Sequence, residues 1–268
     1  MEPARFTTER YGLFLQSSYR FGEDPPSAGN ARPMLVKAPA LASAPMNWTG
    51  FYVGGHLGGG LGNAQWSDPF ASTIVGHGFI NVAGFGDSTH ASGPLGGGQI
   101  GGDWQMGRLV LGAGIDGSAT SMRGENTCFS GLGGINCQHA VNSLVSFTGR
   151  AGYAWDRSLV YMKGGAALAD SSYSLFGNTG ALTLGSGETS LQTLGWTIGA
   201  GIEYGLSNRW SAFAEYDHTG FPATTTPFPT VAVVSAASIS VKQTVDVFKL
   251  GINYNFHLAD LAAITPKN

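Results

Sequence analysis

The feature that most constrains this chain is an alternation of apolar and polar side chains that recurs in eight segments. In each segment one set of alternate positions is apolar, and the other carries charges, amides and glycines. This is the period of a β-strand. The predicted strands are roughly 48–61, 94–105, 108–120, 142–155, 158–170, 191–205, 209–219 and 245–256. The pattern predicts an all-β fold.

The connections between the predicted strands alternate in length. Three are tight hairpin turns of familiar chemistry, at Met106-Gly107, Asp156-Arg157 and Leu206-Ser207-Asn208. The other four are long, with roughly 32, 21, 20 and 25 residues rich in Gly, Ser, Thr and Asn. Short turns at one end and long loops at the other are typical of an antiparallel up-and-down barrel that spans a membrane.

The two faces of the predicted strands differ in the sense opposite to that of a soluble barrel. One face carries large apolar side chains, such as Leu109, Leu111 and Ile115 on the third strand. The other face carries the ionisable side chains, and its members are Asp103, Asp116, Arg150, Lys163, Glu203, Glu215, Asp217 and Lys249. An apolar outside and a charged inside suit lipid. A soluble lipocalin-like carrier should show the reverse, so it ranks last.

Aromatic side chains gather where the predicted strands meet the short turns. This set comprises Phe51, Trp104, Tyr153, Trp155, Tyr204, Trp210, Tyr254 and Phe256. Rings that are apolar, with a polar handle in Trp and Tyr, are selected at a membrane interface. We therefore predict an aromatic belt at this end of the barrel.

Composition excludes several classes of protein. Hydrophobic residues make up 43% of the chain, yet no run of about 18 apolar residues predicts a membrane helix. A net charge of −3 argues against non-specific binding of nucleic acid. The 42 glycines suit strands that must curve and twist to close a barrel.

The chain divides into three parts around the patterned body. Residues 1–46 are predicted to be an N-terminal extension and a Pro-rich linker, within which residues 11–21 alternate like an extra strand. Residues 47–256 are predicted to form the barrel, and residues 257–268 a C-terminal tail. The first residues lack the basic tip and apolar stretch of a signal peptide.

Several motifs resemble the eight-stranded outer-membrane β-barrels, namely the opacity-like and porin-type small barrels of alphaproteobacteria. They are Trp48-Thr49-Gly50-Phe51-Tyr52-Val53-Gly54-Gly55, the segment Gly97 to Gln105, Gly149-Arg150-Ala151-Gly152-Tyr153 and the segment Gly195 to Tyr204. The end of the last strand resembles the closing signal read by the barrel-assembly machinery, with Lys249, Gly251, Tyr254 and Phe256 at its positions. The chain departs from the family pattern in continuing past Phe256.

The resemblance implies the outer membrane of a Gram-negative bacterium, with membrane lipid, lipopolysaccharide and the assembly machinery as partners. The leading predicted function is structural or surface interaction with little or no open channel. A small diffusion porin is one alternative. Another is binding of haemin or a small ligand by the extracellular loops, which would contain or flank His77, His90 and His139. The sequence does not indicate an oligomeric state.

The sequence presents no catalytic or metal-binding motif. Ser, His and Asp are scattered without a nucleophile elbow, and no Gly-rich turn leads into a helix. We therefore predict that the protein is not an enzyme and needs no cofactor. The interior charges suit either a structural network or a proton or ion path. The narrow lumen of eight strands favours the network.

The interior charges are also expected to be paired in a particular way. Arg150 is predicted to be the hub, because its planar fork can hold two carboxylates and it does not lose its charge. The two lysines would share the remaining acids.

The two cysteines, Cys128 and Cys137, lie close together in a segment rich in Gly, Ser and Asn. In an oxidising compartment this spacing predicts a disulfide that closes the second long loop, whereas in a reducing compartment both would be free thiols.

Overall fold

The computed structural model describes residues 45–67, 86–128, 135–177, 187–228 and 237–256. These residues form eight β-strands. In chain order they are β1 (Gly50–Ser67), β2 (Gly86–Met106), β3 (Leu109–Cys128), β4 (Ile135–Trp155), β5 (Ser158–Gly177), β6 (Gly187–Gly205), β7 (Trp210–Phe228) and β8 (Ala237–Phe256). Among the described residues, no helix is long and apolar enough to cross a membrane.

The strands close into a ring in sequence order. Each pairs antiparallel with the next, and β1 pairs with β8 from Phe51 opposite Phe256 to Ser67 opposite Ser240. Closure leaves no sheet edge, so every strand has a hydrogen-bonded neighbour on both sides. The predicted eight-stranded antiparallel barrel is confirmed.

The strands extend further than the alternation of the sequence predicts. Leu61 was the predicted end of the first strand, whereas β1 continues to Ser67. The segments outside the described part between strands are therefore only 68–85, 129–134, 178–186 and 229–236. The long-loop lengths were overestimated because the alternation reverses beyond the apolar band: outward residues become polar and inward residues such as Ala64 and Trp66 become apolar, so the apolar-outward pattern stops. The predicted extra strand at 11–21 and the tail 257–268 lie outside the described residues.

All three short turns lie at one end of the barrel, here called the turn end; the opposite end is called the loop end. The first turn is Gly107-Arg108, one residue later than predicted, and Gly107 has φ +64°. The second is Asp156-Arg157, where Asp156 has φ 54°. A positive φ at the first loop residue is what a tight hairpin requires, and Gly and Asp tolerate it.

The outer wall carries an apolar band near the turn end. On β1 the band begins at Phe51 and ends at Leu61, both more than half exposed, and Asn63 and Gln65 follow on the same face. Eleven tilted residues have a height of roughly 25 Å, which matches the hydrocarbon-facing band of a membrane barrel. Polar side chains then cover the outer wall toward the loop end.

Inside the barrel, two apolar clusters fill the two ends. The turn-end cluster comprises Met46, Trp48, Val110, Ala154, Leu159 and Tyr161. The loop-end cluster comprises Ala91, Leu95, Met122, Val141, Ala167, Ala169, Phe221, Val245 and Val247. The ionisable side chains lie between them.

The chain just before β1 belongs to the barrel rather than to the predicted linker. The Met46 amide donates to the carbonyl oxygen of Asp156 at 3.0 Å, and the Trp48 amide donates to Oε1 of Gln105 at 2.8 Å. Met46 and Trp48 are buried. This short segment therefore closes the turn end of the lumen.

Candidate functional site

All eight ionisable residues predicted to face inward are buried in the lumen. They form two clusters rather than one network around Arg150. In the first, the arginine cluster, Nε of Arg150 donates to Oδ1 of Asp103 at 2.8 Å, and Nη2 pairs with the other carboxylate oxygen. Nη1 of Arg150 donates to Oε2 of Glu203 at 3.2 Å. One cation thus binds two carboxylates from β2 and β6.

The second, the lysine cluster, joins two lysines to three acids. Nζ of Lys163 lies 2.7 Å from Oε1 of Glu215 and 3.1 Å from Oδ2 of Asp217. Nζ of Lys249 lies 2.7 Å from the same oxygen of Asp217 and 2.8 Å from Oδ2 of Asp116. Longer contacts of 3.4 Å complete the set. Arg150 therefore holds two carboxylates and the two lysines share the other three, as predicted, but the arginine and lysine groups form separate clusters.

The strand register places residues of both clusters in one row, with Arg150 opposite Lys163 and a glycine beside each of two carboxylates. Arg150 is level with Asp103 across Gly112, and Asp217 is level with Lys163 across Gly199. A Cβ at Gly112 would lie 1.9 Å from Oδ1 of Asp103, and one at Gly199 would lie 2.1 Å from Oδ1 of Asp217. Because Gly112 and Gly199 have no Cβ, the carboxylates of Asp103 and Asp217 can occupy the space beside them.

Two tyrosines enclose the guanidinium group. The Arg150 guanidinium carbon lies 4.5 Å from the ring centroid of Tyr52 and 5.1 Å from that of Tyr161. The Tyr161 hydroxyl also donates to Oε2 of Glu215 at 2.8 Å, which connects the two clusters. A desolvated cation over an aromatic face is stabilised by the ring quadrupole. The sequence analysis did not single out these tyrosines, although their alternation with outward Val53 and Val160 places both inside.

Hydrogen bonds from neutral side chains stabilise the carboxylates that exceed the number of cations. Each cluster has one more carboxylate than cations, which gives a formal charge of −1 for each. Glu203 accepts hydrogen bonds from the Ser211 hydroxyl at 2.5 Å and from Nδ2 of Asn253 at 2.8 Å. Asp116 also accepts from Ser146. Hydrogen bonds of this kind stabilise a buried carboxylate without a second cation.

Little space remains around the charged side chains. A cavity of about 20 Å³ is lined by Tyr52, Gln99, Asp116, Arg150 and Lys163, among others. That volume holds about one water molecule. The arrangement suits a packed polar core better than a solvated passage.

The predicted belt residues all lie on the outer wall at the turn end. Seven have large exposed areas, and Tyr254 is half-buried between Trp210 and Phe256, with ring centroids 5.1 and 4.8 Å away. Nη1 of Arg108 donates to the Tyr153 hydroxyl at 2.7 Å. The closing-signal residues divide between the faces: Lys249 and Gly251 point inward, and Tyr254 and Phe256 outward.

Of the three histidines considered for haemin, the two in the described part of the chain lie on strands rather than on loops. His90 is exposed on β2, His139 is fully buried inside the barrel on β4, and His77 lies outside the described residues. His139 stacks on Tyr173 with ring centroids 5.2 Å apart. The strand extensions explain the error, because residues 135–141 belong to β4 rather than to a loop.

Of the two cysteines, only the side chain of Cys137 is described in the structure. Cys137 is buried and disulfide-bonded. The chain has two cysteines, and both strand ends, β3 at Cys128 and β4 at Ile135, meet at the loop end. We predict that thiol titration of denatured, unreduced protein finds no free thiol. Two free thiols would contradict the pairing of Cys128 with Cys137.

An apolar outer wall around an ion-paired interior defines a transmembrane β-barrel. The comparisons with known proteins agree. Residues 34–256 match the model of the outer membrane protein beta-barrel domain. The 31 kDa outer-membrane immunogenic protein of Brucella melitensis is 32% identical over 235 residues, which cover 84% of this chain and 92% of that protein. The chain belongs to the outer membrane protein beta-barrel family, and its location is the outer membrane of a Gram-negative bacterium.

Other similar proteins belong to the same membrane. The 22 kDa outer membrane protein of Rhizobium leguminosarum bv. viciae is 27% identical over 177 residues, or 65% of each chain. Among solved structures, the outer membrane protease OmpT of Escherichia coli has a TM-score of 0.49 and 9% identity, covering 78% of this chain and 98% of its own. OprG of Pseudomonas aeruginosa has a TM-score of 0.46 and 12% identity, covering 79% and 98%.

His139 gives a pH dependence that can be tested. It lies beyond Asn142, where the outer face of β4 is already polar, and both of its ring nitrogens lack a hydrogen-bond partner among the described residues. Burial lowers the pKa of His139 to about 4 from 6.5. The unfolded chain therefore binds a proton that the folded barrel does not as the pH falls through this interval. Stability should drop by about 3 kcal/mol between about pH 6.5 and pH 4.

The measurement is urea unfolding in lipid vesicles at several pH values. His139→Phe keeps a ring against Tyr173 and removes the titration, so it is the matched control. The difference in unfolding free energy between the wild type and His139→Phe should shrink or change sign as the pH falls. A difference that does not vary with pH would contradict the assignment.

Proposed function

We propose that this protein is a structural or surface-interaction protein of the outer membrane, whose barrel has little or no open channel. The observation that carries the proposal is the filling of the lumen in three layers. The turn-end cluster, the two ionic clusters and the loop-end cluster follow one another along the barrel axis. Opening a channel would require the displacement of all three layers.

The ionic clusters support a structural role. Their cations and carboxylates bind one another at short distances, so few groups are left to exchange protons or ions with a solute. Removing one partner from such a pair strands a buried charge, which is costly. The clusters therefore fix the register and packing of the barrel, and we propose neither catalysis nor conduction for them.

The orientation of the barrel and the residues on its outer wall suggest its partners. Short turns of bacterial outer-membrane barrels face the periplasm, so the loop end is proposed to face outward, where it meets lipopolysaccharide. The aromatic belt would then lie at the inner-leaflet interface. The closing residues Tyr254 and Phe256, which are accessible on the wall, are proposed to be read by the assembly machinery.

Haemin binding by loop histidines stays a separate prediction. His139 is buried, so the version that can be tested concerns His77 and His90. A Soret shift on titration that disappears in the His77→Ala, His90→Ala double variant would support it. A shift that persists in that variant would exclude these histidines as ligands.

Liposome swelling tests the closed lumen. Vesicles that contain the folded protein should swell in an isosmotic small sugar no faster than vesicles without protein. Swelling that increases in proportion to the amount of folded protein would favour the diffusion-porin alternative.

A further inference from the structure

The outer wall between β3 and β6 carries a polar groove just beyond the apolar band. Its volume is about 210 Å³. The polar lining residues are Arg123, Gln138, Asn142, Ser172, Ser174 and Glu188. On β5 the last apolar outward residue is Leu168, and Ser172 lies two outward positions further toward the loop end. The groove therefore begins where the hydrocarbon-facing wall ends.

The strand register explains why this part of the wall is concave. Arg123 on β3 pairs with Ala140 on β4, which pairs with Ser172 on β5. Ser174 on β5 pairs with Glu188 on β6. Small side chains, Ala140, Ser172 and Ser174, thus form the floor on the two central strands, and the longer side chains of Arg123 and Glu188 stand on the outer strands. Three inter-strand spacings separate β3 from β6, or about 14 Å.

The long side chains of the groove have hydrogen-bonding capacity to spare. Nδ2 of Asn142 donates to the Ser172 hydroxyl at 2.9 Å. In contrast, the side chains of Arg123, Gln138 and Glu188 make no hydrogen bond or ion pair with any other described residue. A cation at one edge, a carboxylate at the other and amides and hydroxyls between them match a ligand with many hydroxyls and one anionic group.

We propose that this groove binds the core sugars of the glycolipid of the outer leaflet. This inference rests on the proposed function, which places the loop end outside. Below the groove, beyond one polar row that contains Asp170 and Gln192, the wall is apolar, with Leu168 and Leu194 exposed on β5 and β6. One amphiphile can therefore place its acyl chains on that wall and its sugars in the groove.

The residues favour a sugar over simpler ligands. No group of three or more His, Cys, Asp or Glu side chains suited to a metal ion occurs in the described part of the chain. A bare phosphate bound at Arg123 is too small to reach Glu188 at the other edge, so it would leave most of the groove unused. A sugar uses both ends, because its hydroxyls donate to carboxylates and its acidic substituent accepts from arginine.

The test is a titration of the delipidated, refolded protein in detergent with four probes, followed by native mass spectrometry. The probes are rough lipopolysaccharide with its core sugars, lipid A without them, the free core oligosaccharide, and a phosphatidylethanolamine. The variants are Arg123→Gln and Ser172→Leu. The control is Gln65→Leu, which changes an exposed outward residue at the matching second polar position on β1. Heat-modifiable gel mobility verifies folding of each.

We expect rough lipopolysaccharide to bind the wild type and Gln65→Leu equally, and each groove variant at least tenfold more weakly. If lipid A or the phospholipid binds as tightly as rough lipopolysaccharide, the groove does not recognise the core sugars. If the free oligosaccharide binds as tightly, the ligand need not be a membrane lipid. Unchanged binding in both variants would overturn the site. The conductance of the same preparation tests the proposed closed lumen separately. Loss of sugar binding and the presence of an open channel can therefore be told apart.

Discussion

Replacing Arg150 with methionine should lower the free energy of unfolding by about 3–5 kcal/mol. The side chains of Asp103 and Glu203 are each 1% exposed, so both carboxylates would lose their only cation without gaining water. The aromatic rings of Tyr52 and Tyr161 would at the same time lose the guanidinium between them. Urea unfolding in lipid vesicles measures the loss.

Two further variants make the Arg150 result specific. Arg108→Met is the matched control, because Arg108 is exposed at a turn and its hydrogen bond to the Tyr153 hydroxyl is solvent-exposed, so stability should change little. Arg157 at the second turn is less suitable, because its Nε donates to the Gly205 carbonyl at 2.6 Å in a partly buried site, so its loss should cost about 1 kcal/mol. Adding Asp103→Asn to Arg150→Met should recover about 1–3 kcal/mol. Equal, small losses for Arg150→Met and Arg108→Met would refute the arginine cluster.

Replacing Lys249 with methionine should have an effect of similar size, about 3–5 kcal/mol. Lys163 would be left with three carboxylates, and Asp116 would lose its contact at 2.8 Å. Lys242→Met, which changes an exposed outward lysine on the same strand, is the control. Lys249 also belongs to the closing-strand signal, so refolding from urea without the assembly machinery is required to isolate stability.

A rescue experiment separates charge imbalance from lost packing. Oδ1 of Asp217 has no hydrogen-bond partner among the described residues, so this acid depends on the lysines at its other oxygen. Adding Asp217→Asn to Lys249→Met removes one stranded charge at nearly constant shape. The double variant should be more stable than Lys249→Met alone. If it is less stable, lost packing rather than charge explains the single variant.

Sequence alternation predicted the membrane-facing part of the fold well, because lipid imposes a strict rule there. Each outward position between Phe51 and Leu61 must be apolar or small, so the period of two is uninterrupted. Beyond Leu61 the pattern reverses, because Asn63 and Gln65 are outward and polar whereas Ala64 and Trp66 are inward and apolar. The strand extensions were missed for this reason, and His139 was assigned to a loop.

The candidate site was predicted only in part. Alternation shows which face a side chain takes, and it placed all eight ionisable residues inside. It does not show which inward residues are level, since that depends on strand tilt and register. The sequence therefore could not divide the five acids between Arg150, which binds Asp103 and Glu203, and the two lysines, which bind the other three. The closure of the turn end by Met46 was missed because Met46 precedes the first alternating segment, and alternation does not show that Trp48 packs across the end of the lumen.

Single-channel recording in planar bilayers tests the closed lumen most directly. Folded protein, verified by its heat-modifiable mobility, is inserted at low density, and current is recorded over a range of voltages. With the lumen filled by two apolar clusters and two ionic clusters, we predict no steady conductance step. Reproducible steps of one size, at a frequency proportional to the amount of folded protein, would contradict a closed barrel.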